Sequence, residues 1–207
     1  MTRATRSART GRWLGFLAVA AVTVACGGRL EEGTSQRVTS EHLRCQPVCR
    51  KQPFSELQSV ELRLQHAALR VTWTMAGPIP LDSGSVVPPA EVFGWGLEMQ
   101  RGGQLYGVGV SLRGKRWAAG AGHVPIHPPR PPGGVGIARP NTGVPISPGP
   151  VVQGNVLILD VPLKDLPGLT SGPFWWSTRT SVDAELADEL PDSGHQEGDT
   201  FVARFGG

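Results

Sequence analysis

The stretch Ser59-Val60-Glu61-Leu62-Arg63-Leu64-Gln65-His66-Ala67-Ala68-Leu69-Arg70-Val71-Thr72-Trp73-Thr74-Met75 decides the fold. Apolar residues fall at every second position: Val60, Leu62 and Leu64 before the break at His66-Ala67-Ala68, and Leu69, Val71, Trp73 and Met75 after it. Successive side chains of an extended chain point to opposite sides, so a period of two buries one face of a strand and wets the other. So short a break leaves room only for a tight reversal, which makes the pair an antiparallel hairpin. Trp73 keeps step with Leu69, Val71 and Met75 and is expected in the core.

The same pattern continues along the chain. Gly77-Pro78-Ile79-Pro80 ends the second strand, and a proline-rich loop runs to Ala90. Residues 92–99 and 105–112 read as two more strands, turned at Arg101-Gly102-Gly103, with Gly94, Gly96, Gly107 and Gly109 inside them. Glycines at alternate strand positions leave one face low, where another backbone or a ring lies close. Residues 118–150 read as a long Pro/Gly-rich irregular loop carrying His123, His127, Arg130 and Arg139; loops of that length are functional or disordered. Strands return at 155–161, after the turn Gln153-Gly154-Asn155, and at 174–182, with a brief helical turn or loop at 162–169 between them. An acidic segment at 183–199 reads as a solvated loop, and 200–205 as an edge strand. Hairpin connections with hardly any helical period predict an all-β, antiparallel two-sheet β-sandwich over residues 54–207.

The first residues carry an address. Arg3, Arg6, Arg9 and Arg12, with no acid among them, precede an apolar run from Trp13 to Ala25 that is too short for a stop-transfer helix. The run ends in Val22-Thr23-Val24-Ala25-Cys26-Gly27-Gly28, which resembles the lipobox of bacterial lipoproteins, although Thr23 stands where that motif usually has leucine. The resemblance implies a signal peptide at 1–25, removal before Cys26, and a diacylglyceryl group on its sulfur. The alternative is an ordinary secretory cut that leaves a free, reactive N-terminal thiol. Residues 26–53 then read as an acylated tether: Gly27, Gly28, Gly33, Thr34, Ser35 and several charges make an apolar face unexpected, so loose order is predicted. The protein is expected outside the cytoplasm on a bacterial membrane. Gly27 gives no inner-membrane aspartate signal, so the choice of membrane stays open. No second apolar segment is long enough to span.

Composition excludes one class of partner. The formal charge of +3 includes the four signal arginines; without them 16 Lys+Arg face 17 Asp+Glu, close to −1. No basic run remains to track a nucleic-acid backbone. Cys45 and Cys49 flank Gln46-Pro47-Val48, and outside the cytoplasm such a pair closes a small disulfide loop. Cys-x-x-x-Cys with His42 three residues upstream also resembles the copper loop of Sco-type chaperones, and soft thiolates plus an imidazole suit Cu(I).

Thr74-Met75-Ala76-Gly77-Pro78-Ile79-Pro80, the return from Gly154 through Val161 to Leu166, and Leu190-Pro191-Asp192-Ser193-Gly194 are similar in strand order and turn style to secreted DOMON and family-nine carbohydrate-binding sandwiches. That resemblance implies a non-catalytic module that binds sugars, haem or calcium, or serves as an adaptor. The expected partners are the membrane, through the anchor, and a carbohydrate or an envelope protein. An envelope protein offering only a protein interface is the second reading.

Candidate ligand-binding residues are Trp117, Trp175 and Trp176. Trp175 and Trp176 are adjacent on a strand, so one faces the core and the other faces out as a flat apolar platform. The acids of 183–199 match no EF-hand spacing. His123 and His127 lie in a Pro/Gly loop, where a four-residue spacing sets no common face for zinc. Asp82-Ser83-Gly84 and Asp192-Ser193-Gly194 resemble the catalytic turns of aspartic proteases, but Asx-turn chemistry accounts for both. The sequence has no Gly-x-Ser-x-Gly elbow and no phosphate-cradling glycine loop. No enzyme, cofactor or metal is therefore assigned.

Overall fold

The alternation at 59–75 folds as a hairpin whose inward side chains are sealed from water. The computed structural model describes residues 29–40, 52–87, 89–125, 143–190 and 203–206. In chain order its strands are β1 (Ser35–Thr39), β2 (Leu57–Gln65), β3 (Ala68–Met75), β4 (Val92–Arg101), β5 (Gln104–Arg113), β6 (Arg116–Pro125), β7 (Val144–Pro145), β8 (Val151–Gln153), β9 (Val156–Pro162), β10 (Phe174–Val182), β11 (Glu185–Leu190) and β12 (Ala203–Phe205). All pair antiparallel. One sheet runs β1-β2-β3-β9-β8 and the other β11-β10-β4-β5-β6-β7, with β12 beside the first residues of β10. The chain is the two-sheet antiparallel sandwich that the alternation predicts.

The inward faces supply the core. Val60, Leu62, Val71, Trp73, Leu157 and Leu159 of the five-stranded sheet meet Phe93, Leu97, Val108, Val110, Leu112 and Trp176 of the other. Each large apolar side chain removed from water contributes about 1.5–3 kcal/mol. Two of the core indoles find partners. The Trp73 indole N–H donates to Thr178 Oγ1 at 2.8 Å, and the Thr178 hydroxyl donates to the Gly96 carbonyl at 2.6 Å. The Trp176 indole donates to Gln36 Oε1 of β1 at 3.0 Å.

The strands give the sandwich two distinct ends. At the near end, the β2–β3 turn at His66 and Ala67, the β4–β5 turn at Gly102 and Gly103, and residues 163–173 come together. Residues 163–173 cross from one sheet to the other. Leu163 N–H donates to Ala67 O at 2.8 Å, the Tyr106 hydroxyl donates to Pro167 O at 2.8 Å, and Leu166 and Leu169 are buried. At the far end lie residues 76–91, the β5–β6 turn at Gly114, and the β10–β11 turn at Asp183 and Ala184. Backbone groups there are tied by side chains. Asp188 Oδ2 accepts from Leu57 N–H at 2.6 Å, Asp183 Oδ1 from the N–H groups of Glu91 and Val92, and Asp82 Oδ1 from Gly84 N–H as an Asx turn.

Three expectations need correction. Residues 29–40 are docked rather than loose: β1 pairs along β2 from Ser35↔Arg63 to Thr39↔Ser59, and Leu30 packs against the core. The ladder holds this stretch by backbone hydrogen bonds, so its polar side chains gave no apolar signal. The sandwich thus starts well before residue 54. Residues 118–125 belong to β6, not to an irregular loop, and Trp117 is the second residue of that strand. The residues of β6 that share Trp117's inward side are Ala119, Ala121 and the polar His123, which carry no large apolar signal and read as loop. Within the acidic segment, residues 185–190 form β11, and Asp188 is 5 % exposed because its carboxylate caps β2.

Candidate functional site

The cross-strand register gathers the glycines onto one face. Gly96 pairs with Gly109, which pairs with Gly120; Glu98 pairs with Gly107, which pairs with Gly122; Gly94 pairs with Ser111, which pairs with Ala118. Directly opposed residues share a face. Because Phe93, Trp95, Leu97 and Met99 point inward, these glycines lie on the outward face of the seven-stranded sheet, where backbone forms the floor. Side chains of β10 lie across that floor. A Cβ at Gly94 would meet Ser181 Oγ at 2.5 Å, and one at Gly96 would meet Arg179 Cγ at 3.7 Å. Arg179 Nη2 pairs with Glu98 Oε1 at 2.5 Å, and both side chains are largely withdrawn from water.

The near-end row of the same face is different. Trp175 pairs with Gln100 on one side and with Arg204 on the other, and Gln100 pairs with Leu105, which pairs with Val124. Trp175 is 47 % exposed and Val124 48 %. Arg101 lies over the residues just before Trp175: its Nη1 donates to Pro173 O at 3.2 Å, and a Cβ at Gly172 would meet the same nitrogen at 2.5 Å. Arg204 and Lys164 are exposed nearby in the fold.

The three candidate tryptophans therefore part company. Trp176 is fully buried, Trp175 stands outward beside it, and Trp117 is half-buried with its ring stacked on Trp95 at 5.6 Å between ring centres. Trp175 and Trp117 lie on opposite faces of the seven-stranded sheet and do not line one groove. The Trp95 indole N–H is buried without a hydrogen-bond partner. His123 is exposed on β6 with its ring 5.8 Å from that of Tyr106. Cys26, Cys45, Cys49, His42, His127 and Asp192 lie outside the described residues. Among the described residues, no three His, Cys, Asp or Glu side chains gather as a metal site, and no helix is long and apolar enough to cross a membrane.

Electrostatic adjustments mark fastenings. Hydrogen bonds from Arg70, at 2.7 Å to each carboxylate oxygen, hold the Asp160 carboxyl below its usual range on the outward face of the five-stranded sheet. A side-chain hydrogen bond with His66 at 2.7 Å does the same for Glu32, joining the segment before β1 to the β2–β3 turn. Burial raises the Tyr106 phenol. At the far end a depression of about 280 Å³ is lined by Ser83, Gly84, Ala90, Glu91, Arg113 and Gly114, with Leu81 and Val87 exposed on the loop that forms it.

Sequence reasoning found the glycines of β4 and β5 and the outward indole. It missed Gly120 and Gly122, which lay in the stretch read as loop, and the near-end arginines, whose position depends on which turns share an end. No protein-family model, no curated protein and no solved structure matches this chain.

Proposed function

We propose that this protein is a lipid-anchored extracytoplasmic binding or adaptor module of the bacterial cell envelope, without catalysis. Its anchor is the acylated Cys26, and its partner, a carbohydrate or an envelope protein, lies against the outward face of the seven-stranded sheet. One observation carries the reading: three neighbouring strands present Gly94, Gly96, Gly107, Gly109, Gly120 and Gly122 on a single half-buried face. A floor of bare backbone costs folding entropy, since glycine loses the most freedom on ordering. Close approach of another surface is the usual return for that cost.

Two experiments test it. Cells fed a clickable fatty acid label the wild type and not Cys26→Ser; equal labelling, or none in either, refutes the anchor. A photo-reactive residue at the exposed Ala118, on the glycine face, cross-links to an envelope component in intact cells, whereas the same residue at Arg70 on the opposite face does not. Failure at Ala118, or equal capture at both positions, refutes the face.

A further inference from the structure

We propose that the near end of the sandwich rests on the bilayer, with the Trp175 indole at headgroup depth and Arg101, Lys164 and Arg204 facing lipid phosphates. The inference rests on the lipid-anchor reading of Cys26 and adds an orientation and a lipid-contacting surface to it.

Chain reach supplies the first argument. The polypeptide is fixed to the sandwich from Leu30 onward: Leu30 N–H donates to Thr170 O at 2.9 Å, Gly33 N–H to Leu64 O at 2.9 Å, and the Leu30 side chain packs at Gly206. Only four peptide links separate Cys26 from Leu30, and a fully extended chain covers at most about 14 Å over that distance. Thr170, Leu64 and Gly206 all belong to the near end. The far end lies roughly 30 Å away, since the longest strands have ten residues at about 3.3 Å each. An acyl group on Cys26 can bring the near end to the lipid surface, and it cannot do so for the far end.

The chemistry of that end supplies the second. Trp175 is an exposed indole, an apolar body with one N–H donor, and such rings settle at the boundary between acyl chains and headgroups. Val124 shares its row, and the exposed turn Gly102–Gly103 adds no side-chain bulk. Arg101 and Arg204 flank the indole, and Lys164 and Arg29 are exposed at the same end. Of the acids there among the described residues, Glu32 is occupied by His66, Asp165 is half-buried, and Glu31 is exposed. The apolar and basic groups face the direction from which the anchor pulls.

The test uses the full mature protein in vesicles of phosphatidylcholine and phosphatidylglycerol whose acyl chains carry bromine near the headgroup. Intact mass first establishes acylation. Bromine then quenches the indole emission of the wild type several-fold more than that of Trp175→Phe, because Trp73, Trp95 and Trp176 are buried and the half-buried Trp117 lies at the far end, beside the β5–β6 turn. A tryptophan placed at the exposed Leu81 of the far end, in the Trp175→Phe chain, stays bright. An acylated protein with equal quenching in wild type and Trp175→Phe, or with the tryptophan at position 81 quenched instead, overturns the orientation while leaving the anchor standing. A chain without acyl mass overturns both, and the mass measurement tells the two failures apart.

Discussion

The two ends of the sandwich are closed by the same means in different proportions. The near end is sealed mainly with apolar side chains and main-chain hydrogen bonds: Leu166 and Leu169 of residues 163–173 are buried, Leu30 packs against the core, and Tyr106 donates to Pro167 O, while the exposed Glu32 carboxylate accepts from His66 at the β2–β3 turn. The far end is fastened by carboxylates, with Asp188 on Leu57 N–H, Asp183 on Glu91 and Val92 N–H, and Asp82 on Gly84 N–H. An end closed mostly by backbone and hydrocarbon tolerates proximity to lipid better than one closed by several carboxylates, which are costly to desolvate. Carboxylate caps belong where water is abundant. The contrast fits a domain with one end toward the bilayer and one toward the envelope.

The largest expected effect tests the apolar closure. Leu169→Ala removes a fully buried side chain and leaves a cavity under residues 163–173. A loss of about 2–5 kcal/mol in urea unfolding is predicted, since such truncations combine lost transfer energy with an unfilled void. A loss below 1 kcal/mol would show that this end is looser than described.

Next comes the polar closure. Asp188→Ala leaves the Leu57 N–H at a buried position without its acceptor, and a hydrogen bond to a charged group contributes about 1.5–3 kcal/mol. Asp188→Asn, which keeps an acceptor oxygen, should lose less in the same unfolding experiment. Equal losses for the two variants would assign the effect to packing rather than to the cap.

A smaller change sharpens the far end in the opposite direction. Ala184 has φ +70° in the β10–β11 turn, following Asp183 at +50°. Left-handed conformations are costly for alanine and suit an Asp-Gly pair. Ala184→Gly should stabilise by about 0.5 kcal/mol after the added freedom of the unfolded chain is counted, visible as a raised melting temperature.

The smallest effect is a control that belongs to neither end. Arg70 lowers the Asp160 pKa, so the pair contributes stability above the ordinary carboxylate pKa of about 3.9, and that contribution is lost as pH falls through the lower folded value. Both side chains are about two-fifths exposed, which limits the effect to about 0.3 kcal/mol. Between neutral pH and pH about 3, the Asp160→Asn chain should show a shallower decline in unfolding free energy than the wild type. A steeper decline would contradict the assignment.

Much of the fold could be read from the chain because its core-forming strands alternate large apolar residues with polar ones. Residues 59–75 and 174–182 announce their faces through Leu, Val, Trp and Phe. The strands that escaped notice lack those side chains. β1 is Ser35-Gln36-Arg37-Val38-Thr39, with one apolar residue, and it exists because β2 offers an edge to pair with. β6 follows Trp117 on its inward side with Ala119, Ala121 and the polar His123, among glycines and a terminal proline, so its period of two is nearly silent. β11 hides a buried aspartate, which composition counts as a surface residue.

The candidate site divides in the same way. Adjacent indoles require one to face outward, and alternation along β10 then selects Trp175, because Trp176 keeps step with Phe174 and Val182. That Arg101 and Arg204 stand beside it depends on β4 and β12 both pairing with β10, a long-range arrangement that no local spacing encodes.

The most direct measurement is deuterium exchange of the acylated protein in lipid nanodiscs against the same protein in detergent. Slower uptake on lipid is expected at residues 163–173 and 101–104, with no change at 82–91 and 113–116. Slower uptake at the far-end segments, or at neither end, would contradict a near end resting on the bilayer.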